Sequence, residues 1–257
     1  MFISDKFYLD GIHCDEIGVS LITLNNDIIN DYGIGFDKNV GLDSVSYNNP
    51  IYYNEVDNVE DVILNICPSN EYDLTWDNQL IEDVYKWILQ DRFMPFVSED
   101  DLDLIYYFKP IKITKKFSAF MEGYLEVTFK PLSNYAYKRD LKKSSVVIEK
   151  VININNVSNS FDDYYCPVIE LENLGSFDNK ISIKNLTLDS EPMIISELSK
   201  NEKIVIDNAM CTILDSNNNN ILGCSNRKWL KLKKGSNSIK VVGNCNIVIK
   251  SEFPCFR

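Results

Sequence analysis

Seven cysteines and one histidine are the residues of this 257-residue chain with the widest range of possible chemistry. No two cysteines have the C-x-x-C spacing of zinc ribbons and redox motifs. The cysteines lie at positions 14, 67, 166, 211, 224, 245 and 255. Because His13 is the only histidine, one chain can form neither a two-histidine zinc site nor a histidine-based triad, and a cysteine nucleophile would lack its usual base. We therefore expect structural roles for His13 and Cys14, and reduced, buried thiols in a reducing cytoplasm.

Carboxylates are the second group that could do chemistry. Asp100, Asp101 and Asp103 in the segment SEDDLD could bind Ca²⁺, because this hard cation prefers oxygen ligands. The segment lacks the glycine and the distal glutamate of an EF-hand loop, and acidic runs are usually solvated, so a solvated turn is predicted. Carboxylate pairs for glycoside hydrolysis cannot be recognised from sequence spacing. We predict no enzyme activity, and no catalytic, cofactor-binding or metal-binding residue.

Aromatic and basic side chains in the second half could bind sugars or nucleic acid. Trp229 and the pair Tyr164–Tyr165 could stack on sugar rings, but packing of Trp229 at the end of a β-sandwich is favoured, since large aromatics most often fill cores. The lysines near Trp229 lack the interleaved aromatics of a single-strand binder, so a solvated rim is predicted. They are Lys228, Lys231, Lys233 and Lys234. Asn156 and Asn185 match the glycosylation sequon by pattern only.

Composition and charge limit the class of protein. Fourteen tyrosines and thirteen phenylalanines among frequent isoleucine, valine and asparagine favour strands over helices. Position 5 is acidic and no window approaches about 18 apolar residues, so we expect neither a cleavable signal nor a membrane span. Residues 1–137 hold 24 acidic and 9 basic residues, a net charge of −15, whereas residues 138–257 hold 14 and 17, a net charge of +3. Two regions with different surfaces are predicted, and the acidic one is a poor site for gripping DNA phosphates.

One amphipathic helix and several strands organise the first half. Leu80, Val84, Trp87 and Ile88 share one helical face, which predicts a helix near 77–90 capped by Asp77 or Thr75. Trp76, Trp87 and the cluster 106–108 are predicted to form a helix-on-sheet core. IYYFKPIKIT and MEGYLEVTFKP predict a hairpin, VEDVILNICP a strand ending at Pro68, and NNPIYYN (48–54) a polar loop. Turns are expected at glycines 11, 18, 33 and 35.

The second half has short apolar runs separated by turn signals, a rhythm that predicts an antiparallel β-sandwich. SVVIEKVINI is predicted as one of its strands, and the Asn run DSNNNN as a turn. The basic segment 132–145 separates the halves, and a domain boundary is predicted near 137–144.

The order of these pieces resembles the distal tail protein (Dit) family of long-tailed phages infecting Gram-positive bacteria. In the first half it rests on an FYLDGI-like strand, a helix ending in W-I-L, an aromatic strand and GYLEVTFKPLSNYAY. In the second half it rests on NEKIVIDN, a hairpin, WLKLKKGSNSI and IVIKSEFP.

The resemblance implies a mainly β fold with one flanking helix. Residues 1–140 would form a split β-barrel or two-sheet domain like that of tail tubes, and residues 141–257 a galectin-like antiparallel β-sandwich. It further implies a structural protein at the distal end of the virion tail, made in the host bacterial cytoplasm. The protein would form a homo-hexameric hub that joins the tail tube to the tip or baseplate and lines the DNA channel.

The implied partners are the tail tube protein, the tail-associated tip protein and receptor-binding or baseplate components. Neither sequence-specific nucleic-acid binding nor a membrane partner is expected, and no cofactor. The alternative is a carbohydrate-binding module of a tail tip that recognises host cell-wall glycans.

Overall fold

The computed structural model describes residues 4–22, 37–43, 51–69 and 75–256, and only the backbone of 37–43 and 51–58. The chain divides into two compact units, Met1–Ala136 with Phe256–Arg257, and Tyr137–Cys255. Both units consist mainly of antiparallel strands, which confirms the mainly β prediction. No helix of the described residues is long and apolar enough to cross a membrane.

The first unit combines one large sheet with two helices. Seven strands follow the order β3-β6-β9-β8-β7-β1-β2, and β4 pairs separately with β5. Among the described residues both ends of the seven-stranded order are open, so the sheet is split and does not close into a barrel. The elements are β1 (Phe7–Leu9), β2 (Ile12–His13), α1 (Cys14–Ile17), β3 (Val19–Leu21), β4 (Asp37–Asp43), β5 (Ile51–Asn58), β6 (Val62–Pro68), α2 (Asn78–Ile88), β7 (Met94–Ser98), β8 (Leu104–Phe117) and β9 (Gly123–Pro131).

The helix predicted from apolar spacing is α2. Asp77 caps it by accepting a hydrogen bond from the Leu80 N–H at 2.7 Å, as expected for an Asp at the N-cap. Its apolar face, including Val84, Trp87 and Ile88, is buried with the aromatic side chains of the sheet. The predicted β8–β9 hairpin and the strand ending at Pro68 are also present.

One short element of the first unit was not predicted, and one prediction was wrong. A second helix, the single turn α1, follows β2; His13 caps its start and Gly18, with a φ of 88°, ends it. One turn is too short to produce a helical periodicity in the sequence. Residues 51–54 belong to β5 and not to a loop, because Ile51, Tyr52 and Tyr53 are residue types that favour strands. The predicted turns at glycines 33 and 35 and the loop residues 48–50 lie outside the described residues.

The second unit is a two-sheet sandwich. One sheet has the order β17-β16-β13-β20-β10, the other β11-β19-β14-β15, and β12 pairs with β18. Alternate strand residues from both sheets, most of them isoleucines, fill the space between them. The elements are β10 (Ala136–Val146), β11 (Glu149–Asn156), β12 (Tyr164–Tyr165), β13 (Val168–Asn173), β14 (Ile181–Asn185), β15 (Met193–Ile195), β16 (Lys203–Asp207), β17 (Thr212–Asp215), a 3₁₀ turn (Leu222–Cys224), β18 (Leu232–Lys233), β19 (Gly235–Val242) and β20 (Cys245–Cys255).

The segment around Val147 differs from its prediction. SVVIEKVINI is not one strand, because β10 ends at Val146 and β11 begins at Glu149. Val147 and Ile148 form the turn between them and are exposed. The basic segment before this turn belongs mostly to β10, where alternating polar residues suit a strand with one solvated face.

Candidate assembly surface

The tip of the β8–β9 hairpin is held rigidly by Trp76. This tryptophan is 2% exposed, stacks on Phe117 at 5.6 Å between ring centroids, and donates its indole N–H to the Gly123 carbonyl at 2.9 Å. Its backbone N–H donates to the Met121 carbonyl at 2.9 Å. Gly123 has a φ of 145°, and a Cβ there would lie 2.1 Å from the Lys116 carbonyl oxygen, so the turn requires glycine.

The same tip carries the most exposed phenylalanine among the described residues. Phe120 is 81% exposed. Its backbone is nevertheless fixed, because the Ser118 hydroxyl accepts hydrogen bonds from the Phe120 and Glu122 N–H groups at 3.2 and 3.3 Å. An aromatic side chain is thus presented to solvent from an ordered turn.

A groove of about 380 Å³ lies between the two helices of the first unit. Its apolar wall consists of Ile12, Ile17 and Trp87, and Ile12 is 38% exposed. Glu16 and Asp83 contribute carboxylates to its lining, and Lys86 lies beside Asp83 at 3.3 Å. The groove therefore suits an apolar side chain whose neighbouring residues are positively charged.

His13, Cys14 and Asp15 are the one group in the described part of the chain whose potential metal ligands converge, within 4.8 Å of one another. Each is already engaged. The His13 Nδ1 accepts the Asp15 N–H at 3.3 Å, so its Nε2–H donates to Glu99 at 3.0 Å, and Asp15 pairs with Lys6. Burial raises the pKa of the Cys14 thiol, which disfavours the thiolate that a metal requires. His13 caps the start of α1, and Cys14 and Asp15 are the first two residues of that helix.

The acidic segment 98–103, at the end of β7, forms a turn held by hydrogen bonds. The Ser98 hydroxyl donates to the Asp100 carboxylate at 2.9 Å, and the Asp103 N–H donates to the Asp101 carboxylate at 3.2 Å. The carboxylates of Asp100 and Asp101 thus accept hydrogen bonds from a hydroxyl and a backbone N–H within the turn, as Asp does in turns.

All seven cysteines are reduced, and five of them are buried. Burial raises the pKa of the thiols of Cys67, Cys166 and Cys224, and it raises that of Cys245 to about 11. Neutral buried thiols are poor nucleophiles, which agrees with the structural role predicted for them.

We expect the thiols to react with iodoacetamide at pH 8 in an order set by exposure. Cys211 is exposed and should be alkylated first, whereas Cys245 is fully buried and should react only when the second unit unfolds. Peptide mass mapping over a time course measures this order. Alkylation of Cys245 as fast as that of Cys211 under native conditions would contradict the packing described here.

The aromatic residues considered for sugar binding mostly pack inside the second unit. Trp229 is half-buried against the sandwich core, as predicted. Tyr165 packs edge-on against Phe253 at 4.9 Å, and its hydroxyl accepts the Glu252 N–H at 2.8 Å. Tyr164 is 49% exposed, with the Lys231 ammonium 5.8 Å from its ring centroid.

Two of the four lysines near Trp229 have polar partners within the second unit. Lys228 pairs with Glu191 at 2.8 Å, and the Lys234 ammonium donates to the Ser160 carbonyl. The charge of Lys228 is therefore partly neutralised within the unit, and the Lys234 ammonium is held against the backbone.

Two protein-family models together match almost the whole chain. Residues 2–131 match a family model described as a phage tail protein N-terminal domain, and residues 135–251 match one described as a phage tail C-terminal domain. The chain belongs to this family of phage tail proteins.

Relatives and solved structures agree with the family. The SPbeta prophage-derived protein YomH of Bacillus subtilis strain 168 is 25% identical over 185 residues, which cover 69% of this chain and 70% of that protein. The crystal structure of the SPP1 Dit protein, described as a hub adsorption apparatus in phages infecting Gram-positive bacteria, matches with a TM-score of 0.63 and 12% identity over 96% of this chain and 98% of that one. A chain of the phage P2 baseplate in its activated conformation with Ca matches with a TM-score of 0.53 and 11% identity, covering 96% and 97%. The resemblance to the Dit family is thus confirmed, and at these identities the structures establish a shared fold.

Five buried asparagines in the second unit of this phage tail protein were not recognised from the sequence. They hold loops against the sandwich through their side-chain amides: the Asn208 amide donates to the Pro167 carbonyl at 2.6 Å, and its oxygen accepts the Leu230 N–H at 2.7 Å. The five are Asn156, Asn173, Asn185, Asn208 and Asn237. Two of them, Asn156 and Asn185, are the asparagines of the sequons, and their burial leaves no room for a glycan in the folded unit. The signal available in the sequence was the repeated occurrence of asparagine at or near the ends of strands.

Proposed function

We propose that this phage tail protein is the distal tail hub, a homo-hexameric ring that joins the tail tube to the tail tip or baseplate. Its N-terminal domain, residues 1–140, would form the ring, and its C-terminal domain, residues 141–257, a galectin-like sandwich that projects outward. The proposed neighbours are the tail tube protein, the tail-associated tip protein and receptor-binding or baseplate components. The protein would act as a scaffold without catalysis.

The similarity of nearly the entire chain to SPP1 Dit is the observation that carries this proposal. A match over one unit alone would support only a shared β-sandwich, which many unrelated proteins have. Here the match covers 96% of the chain and therefore extends over both of its units.

The charge distribution supports the proposed conduit for DNA. Residues 1–137, nearly all of the region proposed to form the ring, have a net charge of −15, so DNA phosphates would be repelled from its surface and could slide through. In a ring structure, Asp and Glu should outnumber Lys and Arg along the pore. A pore lined by Lys and Arg would contradict the conduit role.

Native mass spectrometry and negative-stain microscopy of the purified full chain test the proposal. The expected species contains six copies of the 29.6-kDa chain and shows a central pore. Ring closure requires repeated heterologous contacts, so intermediates should be scarce once the ring forms. A strictly monomeric protein, alone and mixed with the tube and tip proteins, would contradict it.

The carbohydrate-binding alternative has less support. A shallow depression of about 380 Å³ on the outer face of β13, β16 and β20 is lined by no aromatic residue. Its charged side chains engage one another: Glu172 accepts the Asn246 amide at 2.9 Å and lies 3.7 Å from Lys203. Sugar rings are usually bound by an exposed aromatic face, and here Trp229 and Tyr165 pack inward.

A further inference from the structure

We propose that Phe120 at the β8–β9 hairpin tip of one chain docks into the groove between α1 and α2 of a second copy. This contact rests on the proposed ring and names the surfaces that close it. It would repeat from chain to chain in one direction, as a heterologous contact must.

The hairpin tip has the properties of a preformed anchor. A fixed, 81% exposed Phe120 would gain the free energy of burying its ring by docking onto a partner surface, because removing apolar area from water is favourable. The turn is already ordered by Ser118, Trp76 and Gly123, so docking would order little additional backbone. Rigid aromatic anchors that fill a partner's pocket are typical interface hot spots.

The receiving groove offers matching chemistry. Ile12, Ile17 and Trp87 provide an apolar wall, and Ile12 is partly exposed although it is a large apolar residue. The cavity of about 380 Å³ is open to solvent and large enough to admit an aromatic side chain. Binding of Phe120 there would remove apolar surface of both chains from water.

The hairpin and the groove lie on opposite sides of α2. The Lys115 ammonium of the hairpin lies 5.5 Å from the ring centroid of Tyr85, whereas Asp83 and Trp87 line the groove. Asp83 and Trp87 are each two residues from Tyr85, which at about 3.6 residues per turn places them on the other side of the helix axis. The tip of a chain therefore cannot reach the groove of the same chain. It can bind the groove of one neighbour while the chain's own groove binds the tip of another neighbour.

The charges of the two surfaces are complementary. The hairpin carries three exposed lysines near its tip, 112, 115 and 116, against two glutamates, 122 and 126. Around the groove, Asp15, Glu16, Glu82 and Asp83 face two lysines, Lys6 and Lys86, which pair with Asp15 and with Glu82 and Asp83. Opposite net charges fix the register of the contact and disfavour pairing of two tips or two grooves.

Cross-linking between two tagged populations of the full chain tests the contact directly. Cys166 and Cys211, the two cysteines that are not buried, are first replaced by serine. One population then carries Ala119→Cys, beside the anchor, and the other Lys86→Cys, at the rim of the groove, so that Phe120 and the apolar wall are kept. A short bis-maleimide is added to each population alone and to the mixture. The proposal predicts cross-linked dimers in the mixture and none in either population alone.

A second measurement follows assembly by native mass spectrometry over a concentration series. Phe120→Gln should raise the concentration for half-assembly by about tenfold or more, because the anchor's burial is lost. The matched control is Phe177→Gln, which removes a 55% exposed phenylalanine from the second unit and should leave assembly within about twofold.

The outcomes separate this contact from the ring itself. Rings that form equally well with Phe120→Gln, or a mixture without the cross-link, overturn the contact and leave the hexamer standing. Wild-type chains that remain monomeric, both alone and mixed with the tube and tip proteins, overturn the hexamer, and the contact with it.

Discussion

Replacing Trp87 by alanine should reduce the free energy of unfolding of the first unit by about 3–5 kcal/mol. Trp87 is 6% exposed, its ring stacks on Phe7 at 5.5 Å, and its indole N–H donates to the Leu9 carbonyl at 3.1 Å. The substitution would leave a cavity between α2 and β1 and remove the donor from a buried carbonyl. It would also remove the largest apolar side chain from the wall of the groove between the helices.

Chemical denaturation followed by far-UV circular dichroism measures this effect, with hydrogen exchange of the α2 amides as a local readout. The matched control is Trp87→Phe, which keeps an aromatic ring and loses the indole donor, and should cost about 1–2 kcal/mol. Unchanged melting of Trp87→Ala would show that this side chain does not hold the helix on the sheet.

Elements in which apolar residues recur over several periods could be predicted from local sequence patterns. Leu80, Val84, Trp87 and Ile88 mark three turns of one helix face, and Asp77 supplies a cap, so α2 could be placed within two residues of its observed ends. In β9, Leu125, Val127 and Phe129 alternate with polar residues, which identifies a strand with one buried face.

Short elements could not be found in this way. Helix α1 has one turn, and it forms because Cys14 is fully buried with the sheet residues while His13 and Gly18 close its ends. Val147 and Ile148 look like strand residues, yet they occupy a turn because β10 and β11 must enter different sheets. Both outcomes depend on contacts distant in sequence.

The candidate surface was only partly predictable. The hairpin that carries Phe120 follows from the sequence, since two β-type runs flank KKFSAF. The exposure of Phe120 does not, because any of the four apolar residues near that turn could have packed inward; Trp76, some 40 positions earlier, determines that Phe117 does. The groove likewise joins α1 to α2, which are more than 60 residues apart.

Replacing Asn173 by leucine should reduce the free energy of unfolding of the second unit by about 2–5 kcal/mol, because several buried polar groups would lose their partners. Asn173 is 0% exposed and lies at the end of β13. Its amide donates to the Leu198, Ser199 and Ser176 carbonyls at 2.7, 3.2 and 3.3 Å. Its oxygen accepts hydrogen bonds from the Gly175 N–H at 3.0 Å and the Asn179 amide at 2.7 Å.

Leucine has the same branching at Cγ and the same number of heavy atoms, so the substitution leaves no cavity and removes every hydrogen bond of the side chain. The matched control is Asn155→Leu, the same exchange at an exposed position of β11, which should change stability by no more than about 0.5 kcal/mol. Thermal and urea denaturation of both variants give the comparison. Equal stabilities would mean that the loops at 174–179 and 198–202 are held by the sandwich core alone; a loss confined to Asn173→Leu would show that this side chain fixes both loops to the strand.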